Sequence, residues 1–238
     1  MPPSSSFRVE RLSTFIKYGA NHALQLSENL VFLYNIGYDI TCLMIIKENM
    51  MRVESNMLEL GTKASDFTLL NTVSGRQLNL YQYAAGQPVV IAFICNHCPF
   101  VVHIMQRFAE VVAEYQERGI KFIAISANDS KEYPEDGSDK MTLLAKEYQL
   151  SCPYCYDETQ DVAKVYDAAC TPDFYLFDRE LLCVYRGRFD AATPGNDNDV
   201  TGGDLTSAMD QLLAGKDIDS NQIPSMGCNI KWRNEAAL

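Results

Sequence analysis

The stretch Pro88-Val-Val-Ile-Ala-Phe-Ile-Cys95-Asn-His97-Cys98-Pro99-Phe-Val-Val-His103 decides the predicted fold. Its apolar run, Val89 to Ile94, is rich in β-branched residues, as expected of a central parallel strand that is covered on both faces. Apolar residues then recur at helical spacing from Pro99 to Gly119, where the glycine ends the helix. A second apolar run follows from Lys121 to Ala127. The pattern therefore predicts a β-α-β unit, with two cysteines where the first strand passes into the helix.

The position of Cys95-X-X-Cys98 indicates redox chemistry. The first backbone N–H groups of a helix have no internal partner, and the helix dipole favours negative charge there. The sequence therefore predicts a thiolate with a lowered pKa at Cys95, which a protonated His97 would favour further. Cys98 lies one helical turn further on, close enough to attack a mixed disulfide and release the product. This spacing predicts a dithiol–disulfide couple.

A second cysteine pair, Cys152 and Cys155, keeps a zinc site open by count, because a structural zinc ion takes four ligands. We favour redox chemistry, since a CxxC motif within a β-α-β unit is the redox context. The second pair falls in a segment predicted to be extended, where residues three apart point to opposite faces. Cys152 and Cys155 are therefore interpreted as packing residues, and the leading interpretation includes no metal and no cofactor.

Composition narrows the classes of function. The chain has 238 residues and a formal net charge of −11, which argues against binding to nucleic acid or to an anionic membrane. Eight cysteines suit an intracellular protein with mostly free thiols. The most apolar stretch, Leu30 to Ile46, is interrupted by polar residues and glycine, so we predict neither a signal peptide nor a membrane span. A cytoplasmic location is the expectation.

The chain is predicted to have three parts. Residues 1–56 form an N-terminal extension, poorly ordered or loosely packed, and residues 57–214 form the redox domain. Residues 215–238 form a tail that packs on this domain. Within the domain, the acids of a polar loop, Glu132, Glu135 and Asp136, are interpreted as solvated, with a position facing the redox site as the alternative.

A Thr171-Pro172 pair precedes the predicted strand Phe174 to Phe177, which turns back into an antiparallel partner. Proline at the start of a strand cannot donate to the sheet, so it belongs at an edge or in a special loop. This bond is a candidate cis peptide, which would leave the Thr171 backbone groups free to face a bound substrate.

From about Leu58 to Trp232 the chain resembles the thioredoxin superfamily. Three motifs together resemble its peroxiredoxin-like branch, related to the AhpC/TSA proteins: Cys95-Asn-His97-Cys98-Pro99-Phe100, Cys170-Thr-Pro-Asp-Phe174 and Gly227-Cys228-Asn-Ile-Lys-Trp232. The resemblance implies an α/β, thioredoxin-like fold with a central mixed β-sheet flanked by helices. It also implies that Cys95 is the nucleophile, Cys98 the resolving thiol and Pro172 a cis-proline that faces them.

The sequence departs from two family patterns. Peroxiredoxins carry Pro-X-X-X-Thr-X-X-Cys, and taking Cys98 as that cysteine puts Ile91 and Cys95 in place of the proline and the threonine. Thioredoxin has a buried acid on the strand before its first cysteine, whereas Val89 to Phe93 is wholly apolar here. Proton handling would therefore have to differ.

The leading hypothesis is a thiol–disulfide oxidoreductase that acts on protein or small-molecule thiols and disulfides, as a monomer or weak dimer. The alternatives are a thiol peroxidase with a sulfenic acid at Cys95, and a copper-binding protein in which Cys95, Cys98 and a histidine hold the metal. A further hypothesis is that Cys170 or Cys228 exchanges with Cys95 as a third redox thiol.

Overall fold

A seven-stranded mixed sheet forms the centre of the computed structural model, which describes residues 52–233. Its strand order is β3-β2-β6-β5-β4-β8-β9, and a second, three-stranded sheet has the order β1-β10-β7. The strands are β1 (Arg52–Glu54), β2 (Thr68–Asn71), β3 (Arg76–Asn79), β4 (Val89–Phe93), β5 (Lys121–Ser126), β6 (Tyr154–Tyr156), β7 (Cys170–Thr171), β8 (Asp173–Phe177), β9 (Cys183–Gly187) and β10 (Met226–Asn229). The helices are α1 (Leu80–Ala84), α2 (Pro99–Glu117), α3 (Ser138–Glu147), α4 (Asp161–Val165) and α5 (Gly203–Leu213).

The predicted β-α-β unit is confirmed. Strand β4 pairs in parallel with β5 and antiparallel with β8, and α2 connects β4 to β5. Every residue of β4 is buried, because helices cover both faces of the sheet at its centre. The predicted fold class, an α/β fold with a mixed sheet flanked by helices, is confirmed.

Two hydrophobic cores lie on the two faces of this sheet. Val90 and Ala92 belong to the core that contains α2, and Ile91 and Phe93 belong to the other, as strand alternation requires. Cys152 and Cys155 are both buried and are divided between the two cores in the same way. Their interpretation as packing residues is therefore confirmed.

The small sheet attaches the C-terminal segment to the redox domain. Strand β10 pairs antiparallel with β7, so that Cys228 lies opposite Thr171, and it pairs with β1 on its other edge. Strand β1 falls within residues 52–56, which the sequence analysis assigned to the extension; hydrogen bonding to β10 orders them. The rest of the extension lies outside the described residues. Within residues 52–233, no helix is long and apolar enough to cross a membrane.

Candidate redox site

The start of α2 positions the two central cysteines. The helix begins at Pro99, because proline suits the first helical position, and Cys98 is therefore its N-cap residue. The Cys98 side chain makes no capping hydrogen bond, but the backbone N–H of Val101, one of the unpaired donors of the first turn, lowers the pKa of its thiol. Both cysteines are almost fully buried, with Cys95 1% exposed and Cys98 0%.

The peptide bond between Thr171 and Pro172 is cis, as predicted, and this loop faces both cysteines. The Cys95 sulfur lies 3.4 Å from the Thr171 hydroxyl oxygen. The Cys98 sulfur lies 3.1 Å from the Thr171 carbonyl oxygen. The cysteines and the loop, far apart in sequence, thus meet at one place.

A third cysteine joins this pair. Cys228 lies opposite Thr171, whose carbonyl oxygen contacts the Cys98 sulfur, and its thiol and backbone N–H both lower the pKa of Cys98. Cys170 does not take this position, since its sulfur lies 3.8 Å from the Pro172 carbonyl oxygen and 4.0 Å from that of Ser225. Of the two thiols proposed as partners of Cys95, Cys228 therefore lies beside Cys98, and Cys170 does not.

These contacts separate the pKa values of the two central thiols. The Cys228 thiol, followed by the Cys95 thiol, donates to the Cys98 sulfur and holds its pKa well below the usual value. The same contact with Cys98 raises the pKa of Cys95, which burial and the charge of Asp136 raise further. The Thr171 carbonyl oxygen accepts from Cys98 and so favours its protonated form. The groups that favour the Cys98 thiolate are more numerous. The directions of these shifts favour a thiolate on Cys98 rather than on Cys95, where the sequence predicted it, and the largest cause is the Cys228 thiol.

His97 has a buried partner of its own. Its Nδ1 atom lies 2.6 Å from Oδ2 of Asp136, and this interaction raises the pKa of His97. Asp136 is fully buried and also accepts hydrogen bonds from the Asn96 backbone N–H at 2.7 Å and from the Asn128 amide at 2.8 Å. The interpretation of Asp136 as a solvated acid is wrong, and the alternative, a position facing the redox site, is the one observed.

The same residues bear on metal binding. One ligand atom each from Cys95, His97 and Asp136 lie within 4.8 Å of one another, so this group can hold a metal ion. The Nδ1 atom of His97 and the Oδ2 atom of Asp136, which could serve as metal ligands, are already paired with each other. A cation would therefore have to replace the proton between them, and the arrangement is complete as a proton-holding pair.

Sequence reasoning missed two features of this site. Asn128 receives a hydrogen bond from the Lys231 backbone N–H at 2.8 Å, which ties the C-terminal segment to the Asp136 loop. The Lys231 side chain is buried close to the three thiols, and burial lowers its pKa. Pro99 did indicate the start of the helix, and a Cys-Pro pair at that point places the cysteine at the N-cap. No pattern in the sequence indicated that Asp136 would pair with His97.

Replacing Asp136 with asparagine is expected to lower the pKa of His97, because the carboxylate that favours the imidazolium is removed while burial remains. The raised pKa means that this pair stabilises the fold below the ordinary histidine pKa of 6.5, and that the contribution is lost as pH rises through the folded value. Titration of the His97 ring signals by nuclear magnetic resonance measures the shift. Asp139→Asn, at an exposed acid on α3, is the matched control; equal titration curves would contradict the assignment.

A CxxC pair at a helix start, opposite a cis-proline loop on a mixed sheet flanked by helices, defines a thioredoxin-fold protein. More narrowly, the chain belongs to the AhpC/TSA family, whose family model matches residues 60–186.

Several individual proteins are similar to this chain. An uncharacterized conserved protein from Geobacillus kaustophilus is 47% identical, with a TM-score of 0.76 over 77% of this chain and 97% of that one. The thiol-disulfide oxidoreductase ResA of Bacillus thuringiensis is 23% identical over 123 residues, a match that spans 52% of this chain and 66% of that protein. A putative protein disulfide isomerase from Bacteroides thetaiotaomicron shares the fold, at 20% identity and a TM-score of 0.52, over 66% of this chain and 92% of that one.

Proposed function

We propose that this protein is a thiol–disulfide oxidoreductase in which Cys95 and Cys98 alternate between a dithiol and a disulfide. The observation that carries the proposal is the meeting of both sulfurs with Thr171, at 3.4 and 3.1 Å, directly before the cis-proline. A pocket lined in part by Phe100, Pro172 and Met226 lies beside this loop and offers space for a substrate. The similarity to ResA supports the same class of reaction.

The pKa order assigns the chemical steps. The Cys98 thiolate attacks a substrate disulfide, forms a mixed disulfide and releases one substrate thiolate, which takes up a proton. Cys95 then loses its proton and attacks the Cys98 sulfur, releasing the second substrate thiolate and leaving a Cys95–Cys98 disulfide. The substrate gains two electrons and the protein loses two. The His97–Asp136 pair is the proposed acceptor for the Cys95 proton, because its ligand atoms lie within 4.8 Å of the sulfur.

Equilibration of the purified protein with glutathione redox buffers tests the proposal. We expect a Cys95–Cys98 disulfide, with a reduction potential more oxidising than the roughly −270 mV of thioredoxin, because hydrogen bonds to the Cys98 thiolate stabilise the reduced form. Acid quenching, alkylation and mass spectrometry identify the oxidised residues. Cys155→Ser, in the opposite core, is the control and should leave the potential unchanged. Retention of both thiols in oxidising buffers would overturn the proposal.

Membership in the AhpC/TSA family favours a second candidate, a thiol peroxidase. The Cys98 thiolate would then be oxidised by a hydroperoxide to a sulfenic acid, with release of water or an alcohol, and Cys95 would condense with it to a disulfide and a second water. The two candidate functions predict different reactivity for one variant, Cys95→Ser. Fast peroxide consumption in single turnover by Cys95→Ser, which keeps Cys98, would favour the peroxidase; slow consumption together with rapid disulfide exchange would favour the oxidoreductase.

Copper binding and the cellular location are two further proposals. A copper-binding role predicts stoichiometric metal in protein purified under reducing conditions, and metal analysis decides it. The cytoplasmic location and the monomeric or weakly dimeric state stay predictions.

A further inference from the structure

Strand β10 brings Cys228 to the redox site through a close backbone approach. Cys228 is paired with Thr171 across the β10–β7 ladder, and Thr171 is the residue whose carbonyl oxygen lies 3.1 Å from the Cys98 sulfur. The preceding residue, Gly227, makes this approach possible, because a Cβ atom there would lie 1.9 Å from the Thr171 carbonyl oxygen. The position of Cys228 is thus fixed by the same loop that fixes Cys98.

The three sulfurs are arranged around Cys98. The Cys95 and Cys98 sulfurs both lie against Thr171, Cys228 is paired with the same residue, and the thiols of Cys95 and Cys228 both lower the pKa of Cys98. Cys228 is 7% exposed, more than Cys95 at 1% or Cys98 at 0%, and it follows the exposed Met226 by two residues. Cys98 therefore has two possible disulfide partners, one towards β4 and one on β10.

We propose that Cys228 is a third redox thiol, which exchanges with the Cys95–Cys98 disulfide to form a Cys98–Cys228 disulfide. In this step the Cys228 thiolate attacks the Cys98 sulfur, the bond between Cys95 and Cys98 breaks, and the bond between Cys98 and Cys228 forms. Cys95 leaves as a thiolate and takes up the proton that Cys228 lost, so no electrons are gained or lost. The inference rests on the proposed function of the Cys95–Cys98 pair.

The exchange would move the disulfide to a different side of the site. The Cys95–Cys98 disulfide lies between β4 and α2, whereas a Cys98–Cys228 disulfide includes a residue of β10, near the end of the chain. A reducing thiol could then approach from the β10 side and restore the dithiol by attack on the Cys228 sulfur. The chemical class of that partner is a small thiol or a protein dithiol.

Oxidation of Cys95→Ser with oxidised glutathione tests the proposal. The Cys98 thiolate and the Cys228 thiol together give up two electrons and one proton, while one glutathione disulfide becomes one glutathione thiol and one glutathione thiolate. We expect a Cys98–Cys228 disulfide in this variant and also in Cys95→Ser/Cys170→Ser, the matched control that removes a neighbouring buried thiol. In Cys95→Ser/Cys228→Ser we expect at least a tenfold loss of intramolecular disulfide and a glutathione adduct that remains on Cys98.

The unmodified protein provides a measurement that does not depend on a variant folding. Acid quenching and peptide mapping of partly oxidised protein should show both Cys95–Cys98 and Cys98–Cys228 disulfides. If Cys95–Cys98 is the sole disulfide and Cys95→Ser stops at the glutathione adduct, the role of Cys228 is overturned while the proposed function stands. If neither disulfide forms, both are overturned.

Discussion

Cys98→Ser is expected to abolish disulfide turnover, with a fall of at least about 10³-fold in kcat/KM, because this sulfur takes part in every disulfide of the proposed cycle. The same change should remove the thiolate that is present at neutral pH. In the unmodified protein the pKa of Cys98 is well below its usual value, since the Cys228 and Cys95 thiols donate to its sulfur. The ultraviolet absorbance of the thiolate should therefore persist at neutral pH and disappear only in acid, and the variant should lack it.

Cys152→Ser is the matched control for this prediction. Cys152 is a buried thiol in the same core as Cys98, and burial raises its pKa to about 12, so its removal should leave both the thiolate absorbance and the turnover intact. The informative contrary result is a mixed disulfide that accumulates on Cys95 in Cys98→Ser, with the neutral-pH thiolate retained. Attack would then belong to Cys95, as the family resemblance implies, and the steps proposed above would be reversed.

Gly227→Ala is expected to have the second large effect. Its new Cβ atom would lie 1.9 Å from the Thr171 carbonyl oxygen and 2.6 Å from the carbonyl carbon. Both are backbone atoms of the loop that faces the cysteines, so neither can rotate away as a flexible side chain would. Relief of the overlap requires β10 to move, at a cost of about 1–3 kcal/mol or more in the free energy of unfolding.

Movement of β10 should also change the chemistry. Because Cys228 donates to the Cys98 sulfur, its displacement should raise the pKa of Cys98 and reduce formation of the Cys98–Cys228 disulfide. Chemical unfolding and thiolate absorbance measure the two effects on one sample. Gly195→Ala is the control, since its nearest contact would be the Arg52 side chain at 3.5 Å, an ordinary distance. Equal stability and equal thiolate pKa in the two variants would show that β10 does not hold the site.

The sequence by itself determined the local elements and their order. The apolar run of β4, the helical spacing of α2 and the second run at β5 predicted the β-α-β unit within one residue at most ends, because burial on two faces of a sheet or one face of a helix leaves a periodic trace. The cis peptide before Pro172, which the family resemblance implied, and the packing role of Cys155, which strand geometry indicated, were also predicted correctly.

Tertiary structure alone decided how the site is charged and which thiols meet. Asp136 becomes a buried partner of His97 only because the loop after β5 folds over the start of α2. Cys228 reaches Cys98 only because β10 pairs with β7 in one register, which a single glycine permits. These contacts join segments that are distant along the chain. Hydrophobic periodicity specifies which face of an element is buried, but it carries no information about which distant segment will cover that face.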